Sequence, residues 1–188
     1  MKIAIVCLTF CLLFLSCAPK LDYAITAPLT KESFEGRTQV YRGTIPTGWF
    51  TSRDTAIALS VDSWLMSDEL SAIIVFRELH LHQQSDALIR DNGLEYLAEM
   101  SYQFSKTDST ILTVEPHEYT LKDNAFCSYE ILSGSTEKRF VVFLTKEHAF
   151  ECESYLLNGI HDATNLKNLY TIQQTVLASL QFPASPIP

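Results

Sequence analysis

Between residues 111 and 157 the chain carries four β-rich runs separated by only a few residues each, and no other feature restricts the fold as much. The runs span 111–121, 125–132, 138–145 and 149–157. Lys122, Asp123 and Asn124 separate the first two, Ser133, Gly134, Ser135 and Thr136 the next, and Lys146, Glu147 and His148 the last. These are turn-forming residues, and hairpin links of this kind register consecutive strands against each other. A parallel crossover needs about a dozen residues, so links this short impose antiparallel pairing.

The flanking segments complete an α+β pattern. Residues 56–63 alternate apolar and polar side chains, as a half-buried strand does, and 71–79 are denser in β-branched residues, as in a more central strand. Ser85 or Asp86 can cap a helix running to about Phe104, with Leu94, Leu97, Ser101 and Phe104 inward and Gly93 as a local weakness. Asn165 can cap a second helix to about Gln181, with a stripe of Leu166, Leu169, Ile172, Val176 and Leu180. An antiparallel sheet with two helices packed on it buries all these apolar faces. Residues 18–36, with Pro19 and Pro28 and no sustained periodicity, read as a tether with a short helix near Glu32.

The stretch Ile45, Pro46, Thr47, Gly48, Trp49 resembles the start of PsbP-like domains, a fold shared with Mog-type Ran-binding proteins and with bacterial lipoproteins of the DcrB type. The order of elements is similar too, through to the closing helix and Phe182. The resemblance implies a three-layer α/β/α arrangement over residues 38–182, with Gly48 and Trp49 closing one sheet edge onto the core. It also implies a role in assisting assemblies. A cystatin-like sheet wrapping one helix is the alternative, though strands before the first helix and a final helix favour the PsbP-like layout.

Ahead of this domain, Met1 and Lys2 precede an uncharged run from Ile3 to Leu15, followed by Ser16 and Cys17. That is the length of a secretory leader and short of the ~20 residues of a spanning helix. Phe14, Leu15, Ser16 and Cys17 resemble a bacterial lipobox, with Phe14 where Leu is usual. The expected layout is a signal peptide at 1–16, a lipidated N-terminus and tether at 17–37, the domain at 38–182, and a flexible tail at 183–188. Lipid on Cys17 would hold the domain to a membrane of the bacterial envelope, at the outer membrane facing the periplasm if there are two. Several acyl chains on one residue anchor stably where one does so only marginally.

Composition narrows the partners. Of 188 residues 47% are hydrophobic and 19% charged, a globular balance, and the formal charge of −8 becomes −9 when Lys2 leaves with the leader. Such a surface repels polyanions, so nucleic acid is not an expected partner. No nucleophile elbow, phosphate-binding loop or dinucleotide fingerprint is present, and no cofactor or catalytic residue is assigned. Glu78, His80 and His82 put three possible ligands on one strand face, but a metal site needs further ligands brought by the fold, and His117, His148 and His161 are scattered. By alternation Glu151 and Glu153 are expected on a wet face. Cys127 and Cys152 are expected as buried thiols on one face of strands two apart, ~10 Å between Cα atoms and beyond disulfide reach. Trp64, Leu65 and Met66 read as a loop and are the expected partner surface. The expected function is a non-enzymatic accessory module binding an envelope protein. The alternatives are a hydrolase or metal-dependent enzyme using His80 and His82, or a small-ligand carrier with a pocket between sheet and helix.

Overall fold

The structure, a computed structural model, describes residues 23–52, 60–81, 83–145, 148–157 and 162–182. The leader, Cys17, the 183–188 tail, His82 and His161 lie outside the described residues. The elements run β1 (Leu29–Glu35), β2 (Arg42–Pro46), β3 (Trp49–Phe50), β4 (Val61–Ser67), β5 (Ala72–Leu79) and α1 (Gln83–Ser105). After these come β6 (Thr110–Leu121), β7 (Asn124–Ser133), β8 (Thr136–Leu144), β9 (Ala149–Leu156) and α2 (Ala163–Ser179).

Seven strands form one sheet in the order β3-β4-β5-β9-β8-β7-β6, and every neighbouring pair is antiparallel. The order follows from one long connection and three short ones. Helix α1 carries the chain from β5 to β6 at the far edge. The meander then walks back strand by strand until β9 meets β5, with Ala72 opposite Leu156 and Leu79 opposite Ala149. The strand that closes the meander is therefore the central one.

Both faces of this sheet are packed. On one, α2 and the β1–β2 hairpin enclose a core of Phe34, Tyr41, Leu65, Ile74, Phe76, Phe143, Phe150, Leu169 and Val176. On the other, α1 lies across β6, β7 and β8 and buries Leu94, Leu97, Ala98 and Tyr102 against Tyr129, Ile131, Phe140 and Val142. Each fully buried side chain of this size stabilises the fold by about 1.5–3 kcal/mol relative to exposure. With two helices on opposite faces the architecture is α/β/α, as expected from the sequence. A sheet wrapping a single helix does not describe it.

Local departures have local causes. Residues 29–35, expected as tether with a short helix near Glu32, form β1, because β2 offers Phe34 and its neighbours an antiparallel partner. Trp64, Leu65 and Met66, expected in a loop, lie in β4. Their apolar run gives no alternation to read, and a bulge between Val61 and Ser63 breaks the pattern before them. Asp162, not Asn165, caps α2 by accepting from the Thr164 N–H at 2.9 Å. Phe104, expected inward, is 80% exposed, since the buried face of α1 runs through Leu94, Leu97, Ala98, Ser101 and Tyr102 and leaves residue 104 to one side.

Gly93 breaks α1 with φ +82° and ψ −171°, a backbone that side-chain-bearing residues avoid. The helix restarts at Leu94 with unsatisfied N–H groups, and the Glu118 carboxylate from β6 accepts from Leu94 at 2.8 Å and Glu95 at 3.1 Å. A carboxylate at a helix N-terminus satisfies donors and the helix dipole together. Glu118→Ala is expected to cost about 0.5–2 kcal/mol, the range for losing such a cap. Urea unfolding measures it, and an unchanged midpoint would show that the cap carries no stability.

Candidate functional site

Because α1 covers only the β6–β8 side, the α1 face of the sheet has a second half, over β3, β4 and β5, with no helix on it among the described residues. Strand register arranges its side chains in rows. Phe50, Met66, Ile73, Tyr155 and Lys138 stand opposite one another from β3 to β8, and Trp64, Val75 and Glu153 form the next row. Phe50 packs edge-to-face on Trp64 with ring centroids 5.9 Å apart, yet remains 37% exposed. Trp64, Met66, Ile73 and Tyr155 are half-buried. Leu65, on the opposite side of β4, is wholly buried in the α2-side core and forms no part of this surface. Of the expected partner residues, Trp64 and Met66 share one face and Leu65 does not.

An ionic cluster bounds the patch. Lys138 Nζ donates to Glu153 at 2.7 Å and lies 4.6 Å over the Tyr155 ring. Arg77 donates to Glu153 and lies 3.6 Å from Glu151. Ser101 of α1 donates to Glu151 and shares a 2.8 Å hydrogen bond with the Tyr129 hydroxyl. Glu151 and Glu153 are 5% and 4% exposed, which corrects the wet face expected from alternation. In β9 each residue from 149 to 154 is buried, because helices or side chains cover both sides of a central strand. Burial pushes the Glu151 carboxyl above its ordinary range, while Ser101 and Arg77 hold it back.

The α2 face holds a second buried charge. Arg139, 1% exposed, donates to Gln173 at 2.9 Å and to Gln174 at 2.8 Å, both from α2. Tyr23, ahead of β1, lies over it, with its ring centroid 4.9 Å from the guanidinium carbon, and packs edge-to-face on Tyr170 at 5.3 Å. The Tyr23 hydroxyl donates to Glu130 at 2.8 Å. None of Tyr23, Arg77, Lys138 or Arg139 was singled out from the sequence. A usable signal existed for the two arginines, since each lies within or beside an apolar strand run where a lone charge needs a partner.

The remaining candidates separate. His80 follows β5 and is largely exposed, with Nδ1 3.9 Å from Glu78. His148, scattered in the sequence, is brought to Glu78 at 2.6 Å by the β5–β9 pairing. Among the described residues no three of His, Cys, Asp and Glu converge as metal ligands. Cys127 and Cys152 are free and buried, but not on one face: Cys127 opposes Val142, which opposes Glu151, so the thiols point to opposite sides. The β7–β8 turn sets Ser133 opposite Thr136, and a difference of one residue in that register is enough to flip the face on which Cys127 lies. Burial pushes both thiols up to about 12. Trp49, after Gly48 in its φ +80° turn, packs partly against the α2-side core. It also edges a cleft of about 320 Å³ between the sheet and α2, lined by Ser67, Ala72, Leu156, Asn168 and Ile172 among others.

No protein-family model matches the chain, and no curated protein sequence matches it. Solved structures do. Cyanobacterial PsbP from Synechocystis superposes with a TM-score of 0.57 at 14% identity, over 89% of this chain and 98% of that one. The Ran-binding protein Mog1p of Saccharomyces cerevisiae gives 0.53 at 8% identity, over 82% and 96%. At these identities the likeness is one of fold, and it agrees with the PsbP-like layout read from the sequence.

Two outcomes follow from the buried groups. A carboxyl raised in the folded state adds stability below its unfolded value of 4.5 and loses it as pH rises through the folded value. Glu151→Gln is therefore expected to melt higher than the parent at neutral pH and to lose less stability between acid and neutral pH, read by thermal unfolding across pH. A lower melting point at every pH would refute this. Cys127 and Cys152 are expected to resist thiol reagents at pH 8 in the native protein and to react once it is unfolded.

Proposed function

We propose that this chain is a lipid-anchored accessory module of the bacterial envelope, held by Cys17, that binds a partner protein and does not itself catalyse a reaction. The observation that carries the binding role is the half-open sheet face, where Phe50, Trp64, Met66, Ile73 and Tyr155 meet solvent beside the paired charges of Lys138 and Arg77. Aromatic and Met side chains beside Arg are what protein interfaces enrich. The leader and Cys17 support the anchor. The name of the yeast neighbour, a Ran-binding protein, is consistent with binding as a use of this fold, although fold alone does not confer function.

A second reading, small-ligand carriage, is favoured by the cleft beside Trp49, whose volume lies at the lower end of ligand pockets. A ligand there is expected to change Trp49 fluorescence and to be lost in Ile172→Trp.

The anchor and the surface have separate tests. Cys17→Ala is expected to move the protein from the membrane pellet to the soluble fraction, and unchanged membrane association would refute the lipid. A photocrosslinking residue at Met66, in cells, is expected to give a discrete protein adduct that the same residue at Lys167 on α2 does not. Identical adduct patterns from the two positions would refute the sheet face as the contact.

A further inference from the structure

We infer that the α2 layer is the side of the domain that faces the bilayer, because Tyr23 clamps the lipid tether onto it. This deepens the proposed function and rests on lipid at Cys17.

The segment after the leader is not a free linker throughout. Tyr23 is fixed three ways on the α2 face, by the Arg139 guanidinium, the Tyr170 ring and the Glu130 carboxylate. Further on, the Ala27 N–H donates to Thr175 of α2 at 3.2 Å, and the Thr47 N–H donates to the Pro28 carbonyl. Only six residue steps separate Cys17 from Tyr23. Fully extended, they reach about 20 Å. A domain of this size has a radius of gyration of about 15 Å, hence a diameter of about 40 Å. A tether that starts on the α2 face and reaches half that diameter cannot carry the lipid round to the α1 face.

The surface there suits a lipid contact. Ile25 and Leu29 are 45% and 38% exposed at an open groove of about 530 Å³ beside α2, whose lining also includes Lys122 and the polar side chains of Thr44, Thr120, Thr175 and Gln181. Apolar side chains with a lysine at the rim can meet the interfacial zone of a bilayer while the ammonium stays in water. The consequence is directional. The half-open face of β3–β5 lies on the other side of the sheet and is turned away from the membrane, where a partner can reach it.

The test uses full-length lipoprotein purified from membranes and reconstituted in phosphatidylcholine vesicles carrying a headgroup-linked quencher. A fluorophore is placed on Lys167→Cys, exposed on α2, or on Arg90→Cys, exposed on α1. The native thiols at 127 and 152 are buried and do not compete. Quenching is expected to be severalfold greater at 167 than at 90. Tyr23→Ala frees the tether back to Ala27, ten steps from Cys17 or about 34 Å, so the contrast should shrink. Tyr23→Phe, which keeps the stacking, should retain most of it. Equal quenching at both positions in vesicle-bound protein overturns the orientation while leaving the anchor intact. An undiminished contrast in Tyr23→Ala overturns the clamp as its cause. Protein that fails to sediment with the vesicles sinks the lipid reading and the orientation with it.

Discussion

Among the described residues the sheet is covered on both faces over β8 and β9 but on only one over β3, β4 and β5, and much of the rest follows from that asymmetry. A single helix about 10 Å wide cannot roof seven strands spaced about 4.8 Å apart. On the α2 side the β1–β2 hairpin shares the work, and Phe34 and Tyr41 extend the core across to Phe76 and Phe143. On the α1 side nothing equivalent is described. The uncovered strands keep aromatic and aliphatic side chains at half exposure there, and Arg77, Lys138, Glu151 and Glu153 lie along the boundary where cover begins.

Each face of the sheet therefore holds a buried charge network, and the two differ in kind. Arg139 is enclosed by two glutamine carbonyls, the Glu130 carboxylate and two tyrosine rings, so an always-charged group meets neutral acceptors, one anion and π faces. Burying it is expensive, and removing a partner would leave an uncompensated charge, which typically costs more than a well-packed apolar replacement of the whole set. Glu151 can shed its charge by taking a proton, and burial biases it that way. The network under α1 therefore responds to pH. The network under α2 is also where Tyr23 joins the N-terminal segment to the domain.

Much of the fold was legible in the sequence because its determinants are local. Turn residues at 122–124, 133–136 and 146–148 specified antiparallel neighbours, and the apolar stripe of Leu166, Leu169 and Val176 specified α2. The candidate site was legible only in part. Trp64 and Met66 stood out as large apolar residues among polar ones, but β4 lacks the alternation that would have identified a strand and separated Leu65 from them. The carboxylates of β9 were misread for a related reason: alternation reports which residues share a side, not whether that side meets water.

By itself the sequence determined the positions of most strands and both helices, their antiparallel sense and the acidic net charge. Only the tertiary structure decided that β9 is central, that Glu151 and Glu153 are buried, that Cys127 and Cys152 face opposite ways, and that Tyr23 rests on Arg139. The physical reason is range. Hairpins and helices are settled between residues a few positions apart, whereas the β5–β9 pairing joins segments some 70 residues apart in sequence. Which face of a strand is covered depends on where those distant partners settle.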